Sequence, residues 1–292
     1  MKLSPQTKLI IVLFLAPSLL GFIVFSLIPI LSALYLSFTS WDIIGGAPEM
    51  IGIKNYVDIL TGDEIYRVLI NTLKYISLYI PGIILSSLLV AVLFDKNVKG
   101  VGLFRVLLFI PVLTSWVAGA IIWRSVLSGQ YGLLNNVLTM IGITGPSWLT
   151  DKNWAMIAIV MVSIWKDLGF FSLILFGGLR GIDRTLYEAA RIDGASNFKV
   201  LTKITIPLLT PTLFFVLITT IVNSFQLFPQ IMVMTGGGPE GATQVMVERI
   251  YTYGFRYFQM GYASALAIIL MLIIVTITII QMVLQKKWVF YE

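Results

Sequence analysis

Residues 178–207 read GLRGIDRTLYEAARIDGASNFKVLTKITIP, a polar stretch between two long apolar segments. Its pattern of residues is typical of two short helices. Asp183 can cap the first helix and Ser196 the second, because the side-chain oxygen of an N-cap residue accepts a hydrogen bond from a free backbone N–H. Gly194 lies between the two helices and can supply the chain reversal. Pro207 stands where a proline can occupy the first turn of the next segment. The pattern predicts a helix, glycine, helix module.

Composition places the chain in a membrane. Of its 292 residues, 58% are hydrophobic and 12% are charged, which is more apolar surface than a soluble domain can bury. Uncharged stretches long enough for about 20 helical residues predict six transmembrane helices. We therefore expect an all-α polytopic membrane protein, with a single transmembrane domain over residues 1–292. The predicted spans cover approximately residues 10–36, 72–94, 104–126, 154–178, 207–234 and 261–285, and the loop between the fourth and fifth spans covers residues 179–206.

Basic residues indicate which side of the membrane each loop occupies, because Lys and Arg are enriched on the cytoplasmic side. With the N-terminus inside, twelve of the 20 Lys and Arg residues fall in inner segments, seven in outer loops and one in a span. Both termini and the 179–206 loop are therefore predicted to be cytoplasmic. The enrichment of basic residues in cytoplasmic segments accounts for the net charge of +6, so this charge gives no reason to expect a nucleic-acid partner.

Residue types and motifs that the sequence lacks exclude several kinds of catalytic and metal site. The sequence has no Cys and no His, which excludes thiol chemistry and metal sites built from those residues. It also lacks the pattern G-x-x-x-x-G-K-[ST], so it has no P-loop of its own. We expect no catalytic residue, no metal site and no cofactor bound by this chain.

The 179–206 loop contains Glu188-Ala189-Ala190, followed after two residues by Asp193-Gly194-Ala195. This pattern resembles the EAA loop of permease subunits in binding-protein-dependent ABC importers, in which short cytoplasmic coupling helices sit in a cleft on the ATP-binding subunit. Leu201 stands where the family commonly has an aromatic residue, and Ile206 where it has Leu, so both positions keep an apolar contact. The resemblance implies that these six Glu, Ala, Asp and Gly residues couple the chain to an ATPase.

The resemblance extends over roughly residues 129–270 and fits the carbohydrate branch of type I importers, typified by the larger maltose permease subunit. It implies a permease of a prokaryotic plasma membrane that moves a sugar or oligosaccharide by alternating access. It also implies several partners: a second, homologous permease subunit in a heterodimer, two ATP-binding cassette subunits that use ATP and Mg, and an extracytoplasmic solute-binding protein. The lipid bilayer that surrounds the permease is a further partner.

Polar side chains mark a candidate solute pathway in the fifth predicted span. Asn223, Gln226 and Gln230 follow Thr219 at spacings that predict one helical stripe. Amide side chains both donate and accept hydrogen bonds, which suits a neutral polyhydroxylated solute. The alternative is that the stripe joins helices to one another within the membrane.

Three further residues complete the candidate pathway. The tryptophans Trp116 and Trp165 offer ring faces on which a sugar can stack, although core packing or interfacial anchoring is the alternative. Lys166 carries a charge within a span and is followed by Asp167. Adjacent helical residues face different ways, so we interpret this pair as structural or cavity-lining. The alternative is an ion or proton relay, as in an autonomous secondary transporter or channel that works as a homodimer.

Overall fold

The computed structural model describes residues 4–95, 100–129, 131–287 and 289. Within these ranges the chain is helical, and β-structure is limited to two isolated bridges, Thr39 with Met50 and Asp42 with Gln259. Contacts divide the chain into two compact units. One comprises residues up to 62 together with 249–272, and the other comprises 63–248 together with the residues from 273 onward. A single permease domain over residues 1–292 stays a prediction.

Fifteen α-helices occur in the described ranges. In chain order they are α1 Pro5–Phe22, α2 Ile28–Leu36, α3 Lys54–Thr61, α4 Asp63–Asp95, α5 Val101–Leu113, α6 Trp116–Val126, α7 Leu133–Met140, α8 Ala155–Gly181, α9 Arg184–Ile192, α10 Asn197–Val200, α11 Ile206–Leu208, α12 Thr210–Phe225, α13 Pro229–Met234, α14 Met246–Tyr251 and α15 Met260–Leu284. The π-helical turns Ile23–Leu27, Leu201–Thr205 and Thr252–Arg256 and the 3₁₀ turn Gln285–Lys287 extend or join these helices.

Four continuous helical segments are long and apolar enough to cross a bilayer: Ile11–Leu36, Asp63–Asp95, Ala155–Gly181 and Met260–Lys287. Two further pairs of helical segments are long and apolar enough only when both members of a pair are taken as one span. Helices α5 and α6 are bent by 101° relative to each other, and the segment Asn197–Leu208 and α12 are bent by 67°. The described residues therefore contain four to six candidate spans.

Proline positions explain the bends. Pro111 lies in the last turn of α5, and Thr114 after it is extended, so the third span bends at this point. The fifth span first bends after Leu208, and Pro211, rather than Pro207, lies in the first turn of α12. The prediction that Pro207 begins the long apolar helix is therefore wrong. Residues before Pro207 can remain helical because the π-helical turn at Leu201–Thr205 joins α10 to α11.

The first unit is organised around the end of α2. Its long N-terminal helix buries none of the side chains described in Ile23–Leu36, so its apolar surface requires lipid or another protein around it. The helix ends at Ser37, whose hydroxyl lies 2.6 Å from the hydroxyl of Tyr56. The Asn55 amide donates to the carbonyls of Ser37 and Thr39, at 2.9 and 2.8 Å. These bonds satisfy carbonyls that a helix end would otherwise leave free.

The core of the second unit lies between α4 and α8, which pack along much of their length. Tyr75 and Tyr79 of α4 stack with ring centroids 5.0 Å apart and are almost fully buried. Ile83 of α4 and Leu175 of α8 are completely buried in the same cluster. This packing makes α8 the central helix of the unit, and the polar 179–206 loop follows it directly.

A close approach fixes α5 against α8. A Cβ atom added at Gly169 of α8 would overlap the backbone of Leu108 and would lie 3.1 Å from the Cα of Phe109. Because these contacts are to backbone, no side-chain rotation can relieve them. Gly169 is thus required by the packing of the two helices.

We expect Gly169→Ala to destabilise the folded protein. Overpacking of this kind costs about 1–3 kcal/mol, because the backbones of α5 and α8 must separate. The matched control is Gly177→Ala on the same helix, where an added Cβ meets no atom within 4 Å. That variant should be neutral or slightly stabilising, because Ala is the better helix former. Thermal unfolding in detergent measures both, and equal Tm values for the two variants would contradict the close packing.

Candidate functional site

The polar loop after α8 folds into two capped helices, as predicted. The N–H of Thr185 donates to Asp183 Oδ1 at 2.9 Å at the start of α9, and the N–H of Lys199 donates to Ser196 Oγ at 3.3 Å at the start of α10. The hydrogen bond from the Thr185 backbone lowers the pKa of the exposed Asp183 carboxyl below its usual value. Gly194 joins the helices with φ +71°, a backbone conformation that glycine adopts without strain.

Further bonds hold the two helices as one module, which we define as residues 182–206. The N–H of Ala195 donates to the carbonyl of Ala190 at 2.9 Å, closing the end of α9, and Ala190 is buried. The hydroxyls of Tyr187 and Thr205 lie 3.3 Å apart and connect α9 to the π-helical turn after α10. The module is thus ordered through its own contacts.

One surface of the module is uncovered. Glu188, Ala189, Asp193 and Gly194 are exposed, and Ala195 is half-buried. Large apolar side chains share this exposure: Leu186 is 41% exposed, Ile192 87% and Phe198 75%. Apolar groups exposed together on a polar loop mark an interaction site, because water does not favour them.

The end of α8 is joined to two other helices just before the module begins. Arg180 forms a 2.9 Å ion pair with Asp95, the last residue of α4. The guanidinium of Arg105, on α5, donates to the carbonyl of Phe94 at 2.5 Å and lies 4.3 Å from the ring centroid of Phe176. An apolar sequence with a few isolated charges gives no sign that these residues meet.

The candidate pathway is not one helical stripe, and that prediction is wrong. Helix α12 ends at Phe225, and the chain leaves helical geometry at Phe228, with φ −145° and ψ −62°, before Pro229 begins α13. Proline disfavours a helical residue before it and lacks an N–H, which accounts for the interruption of the helix at this point. Asn223 and Gln226 therefore lie before the break and Gln230 after it.

The three amides differ in their surroundings. Asn223 and Gln226 are exposed, whereas Gln230 is only 5% exposed. Among the described residues none donates a hydrogen bond to Gln230 Oε1, although that atom is buried. A buried acceptor without a partner is costly in a protein interior. Gln230 is therefore the residue among the three amides that combines burial with an unsatisfied acceptor.

The tryptophans lie on or against α6, the second helix of the third span. Trp165 of α8 packs edge-to-face against Trp123 of α6, with centroids 5.4 Å apart, and its ring faces Gly119. Trp116 begins α6, and its ring centroid lies 5.4 Å from the Lys166 ammonium. Helix α13 packs on α6, so the part of the fifth span that follows Phe228 lies against the second helix of the third span. Trp116 and Trp165 are both half-buried.

Lys166 and Asp167 bind different helices. Lys166 Nζ donates to the carbonyls of Pro111 and Val112, at 2.6 and 3.0 Å, while Asp167 accepts a 2.6 Å hydrogen bond from the hydroxyl of Tyr79. The pair therefore connects α8 to α5 on one side and to α4 on the other. Its partners are those of a structural pair, which agrees with our preferred interpretation.

These features define a class of protein: a polytopic helical membrane protein with broken spans and an exposed module of two capped helices. A family model described as binding-protein-dependent transport system inner membrane component matches residues 59–289. A probable ABC transporter permease protein of Bacillus subtilis, YesP, is 36% identical over 96% of this chain and 91% of its own length. The chain belongs to this family of inner membrane components.

Two further comparisons support the assignment. The arabinooligosaccharides transport system permease protein AraP of Bacillus subtilis is 33% identical over 94% of this chain and 88% of its own length. A chain in the crystal structure of a bacterial alginate ABC transporter, in complex with an alginate pentasaccharide-bound periplasmic protein, has the same fold. Its TM-score is 0.85 at 23% identity, and the match covers 97% of this chain and 96% of that chain.

Family membership decides several predictions. The protein is a multi-pass permease subunit of a binding-protein-dependent ABC importer in the inner membrane, and it functions in a complex with a binding protein and an ATPase. Permease subunits contain no ATP-binding site, so ATP hydrolysis takes place on the partner ATPase. The alternative of an autonomous secondary transporter or channel is therefore wrong.

Proposed function

We propose that this subunit imports a sugar or oligosaccharide by alternating access, with six spans, both termini in the cytoplasm and the 182–206 module as its coupling element. The single observation that carries the proposal is the module itself. It is capped at both helix starts, yet it leaves Glu188 and large apolar side chains uncovered directly after the central helix α8.

The module is the part of the chain that receives force from the ATPase. Glu188, Ala189 and Ala190 with Asp193, Gly194 and Ala195 form its docking surface, and Ile192 and Phe198 provide the apolar contact. Two ATP-binding cassette subunits, one on each of two permease subunits, close when they bind ATP with Mg. Because the end of α8 is joined to α4 and α5 through Arg180 and Arg105, movement of the module is transmitted to three helices.

The solute passes the broken part of the fifth span. Asn223 and Gln226 present amides on one side of the break, and Gln230 presents a buried acceptor on the other. Trp116 and Trp165 supply ring faces, which suits the apolar faces of a sugar. Lys166 contributes a positive charge beside Trp116 and supports the break in the third span.

Further partners follow from the family and from the surface of the first unit. A second, homologous permease subunit forms a heterodimer with this one, and lipid or that subunit covers the apolar N-terminal helix. The sugar class is supported by relatives such as AraP, an arabinooligosaccharides transport system permease protein. An extracytoplasmic solute-binding protein delivers the solute, and this chain binds no cofactor and no nucleic acid.

Reconstitution tests the proposal. The complete importer in proteoliposomes, supplied with its binding protein and ATP-Mg, is expected to accumulate a radiolabelled sugar or oligosaccharide. Omitting the ATPase, the binding protein or ATP should each reduce uptake to background. A panel of neutral sugars, polyols and sugar phosphates identifies the solute class. Accumulation of sugar phosphates or polyols alone would refute the sugar assignment while leaving the importer function intact.

A further inference from the structure

The inner half of the third span is attached to α8 at three successive levels. At one end the Arg105 guanidinium lies 4.3 Å from the Phe176 ring centroid, and in the middle the Leu108 backbone lies against Gly169. At the other end the carbonyls of Pro111 and Val112 accept hydrogen bonds from Lys166. Residue numbers rise along α5 and fall along α8 through these contacts, so the two helices run antiparallel. Helix α5 has 13 residues, so three attachments leave it little freedom to move relative to α8.

The third attachment lies at the break. Helix α5 ends at Leu113, so its last carbonyls lack the i+4 N–H donors of a continuing helix, and the Thr114 N–H donates instead to the Pro111 carbonyl at 3.2 Å. The Lys166 ammonium supplies donors to the carbonyls of Pro111 and Val112, and the Thr114 hydroxyl also donates to the Pro111 carbonyl. A cation at this end also interacts favourably with the negative end of the helix dipole. Lys166 is only 4% exposed, and burial of an ammonium is costly unless its donors are used.

We propose that Lys166 is a positioning residue for transport: it holds the end of α5 on α8, so that α5 moves with α8 and with the module that follows α8. The angle change of alternating access then falls at Thr114 and Ser115, between α5 and α6. This inference rests on the proposed function. It assigns Lys166 a role through the break rather than through contact with the solute.

The test is Lys166→Met in the reconstituted importer, with sugar uptake and ATP hydrolysis measured on the same preparation. Methionine keeps an unbranched apolar side chain but removes the charge and all donors. We expect ATP hydrolysis stimulated by the binding protein to persist, while the sugar imported per ATP falls about tenfold, because a charge-assisted attachment is lost. Lys166→Arg, which keeps charge and donors, should recover most of that ratio.

Asp167→Asn is the matched control, since it also removes one charge from α8 but keeps an acceptor for the Tyr79 hydroxyl. Its import ratio should stay close to that of the unmodified importer. An unchanged ratio in Lys166→Met overturns the proposal. So does an equal loss of uptake and hydrolysis, or a failure of both Lys166→Met and Lys166→Gln to assemble, because each indicates a purely structural residue. Failure of the unmodified importer to take up sugar would instead refute the proposed function.

Discussion

Replacing Glu188 by Lys is expected to abolish ATP-driven uptake, with a loss of about a hundredfold or more, because the change reverses a charge at the centre of the proposed docking surface. Glu188 is exposed and lies in the middle of α9, so the substitution leaves the internal contacts of the module intact. The Asp183 cap and the bond from Ala195 to Ala190 should persist. The loss therefore falls on docking or on force transmission rather than on folding.

Two measurements distinguish these losses. Co-purification of the ATPase with the tagged permease reports docking, and uptake per ATP hydrolysed reports coupling. Glu49→Lys is the matched control: it makes the same charge change at an exposed position in the first unit, and it should leave ATPase co-purification unchanged. Glu188→Gln should give an intermediate loss. Normal uptake by Glu188→Lys would mean that the ATPase engages another part of the chain.

The helices of the module could be predicted because their determinants are local. Asp183 and Ser196 bond to N–H groups two and three residues away, and Gly194 needs only its own backbone freedom. Such signals are present in a short window of sequence. The same holds for the apolar helices, whose length and lack of charge identify them without tertiary information.

The break in the fifth span shows where local reasoning was insufficient. The spacing from Asn223 to Gln230 is that of a helix, but Pro229 interrupts the helix between them. The proline ended the helix, so residues placed on one stripe fall on two elements. Periodicity describes a pattern only while the chain keeps one conformation.

Long-range contacts could not be predicted at all. Lys166 binds the Pro111 carbonyl across 55 residues of sequence, and Tyr79 binds Asp167 across 88. Nothing in either neighbourhood specifies the other. Helix geometry indicates that adjacent charges face different ways, but only the packing of α4, α5 and α8 identifies the carbonyls and the hydroxyl that they bind.

The two broken spans have a common consequence for transport. Helix α6 follows the 101° bend of the third span and packs on α13, which follows the interruption of the fifth span at Phe228. Both α6 and α13 are short, and neither continues the preceding helix in a straight line. A bundle built in this way can change the angle between α5 and α6 while α5 stays packed on α8, since irregular backbone at a break adapts more readily than a helix.

Replacing Gln230 by Leu is expected to reduce sugar uptake about tenfold, because it removes an amide that can hydrogen-bond a solute hydroxyl within a largely desolvated site. The same change should leave the thermal stability unchanged or raised. The Gln230 Oε1 atom is buried, and no described residue donates a hydrogen bond to it, so its loss removes an unfavourable group. If the amide instead joins helices, as in the alternative interpretation, Leu should lower the Tm.

Uptake kinetics and thermal unfolding on the same detergent-purified preparations separate the two outcomes. Combining Gln230→Leu with Asn223→Leu and Gln226→Leu should abolish uptake and alter the preference among neutral sugars. Thr219→Val is the matched control, because the Thr219 hydroxyl already donates to the Phe215 carbonyl at 2.8 Å and its removal should change uptake little. Unchanged uptake and solute preference in the triple variant would place the pathway elsewhere, and the partner permease subunit would then be the one that contacts the sugar.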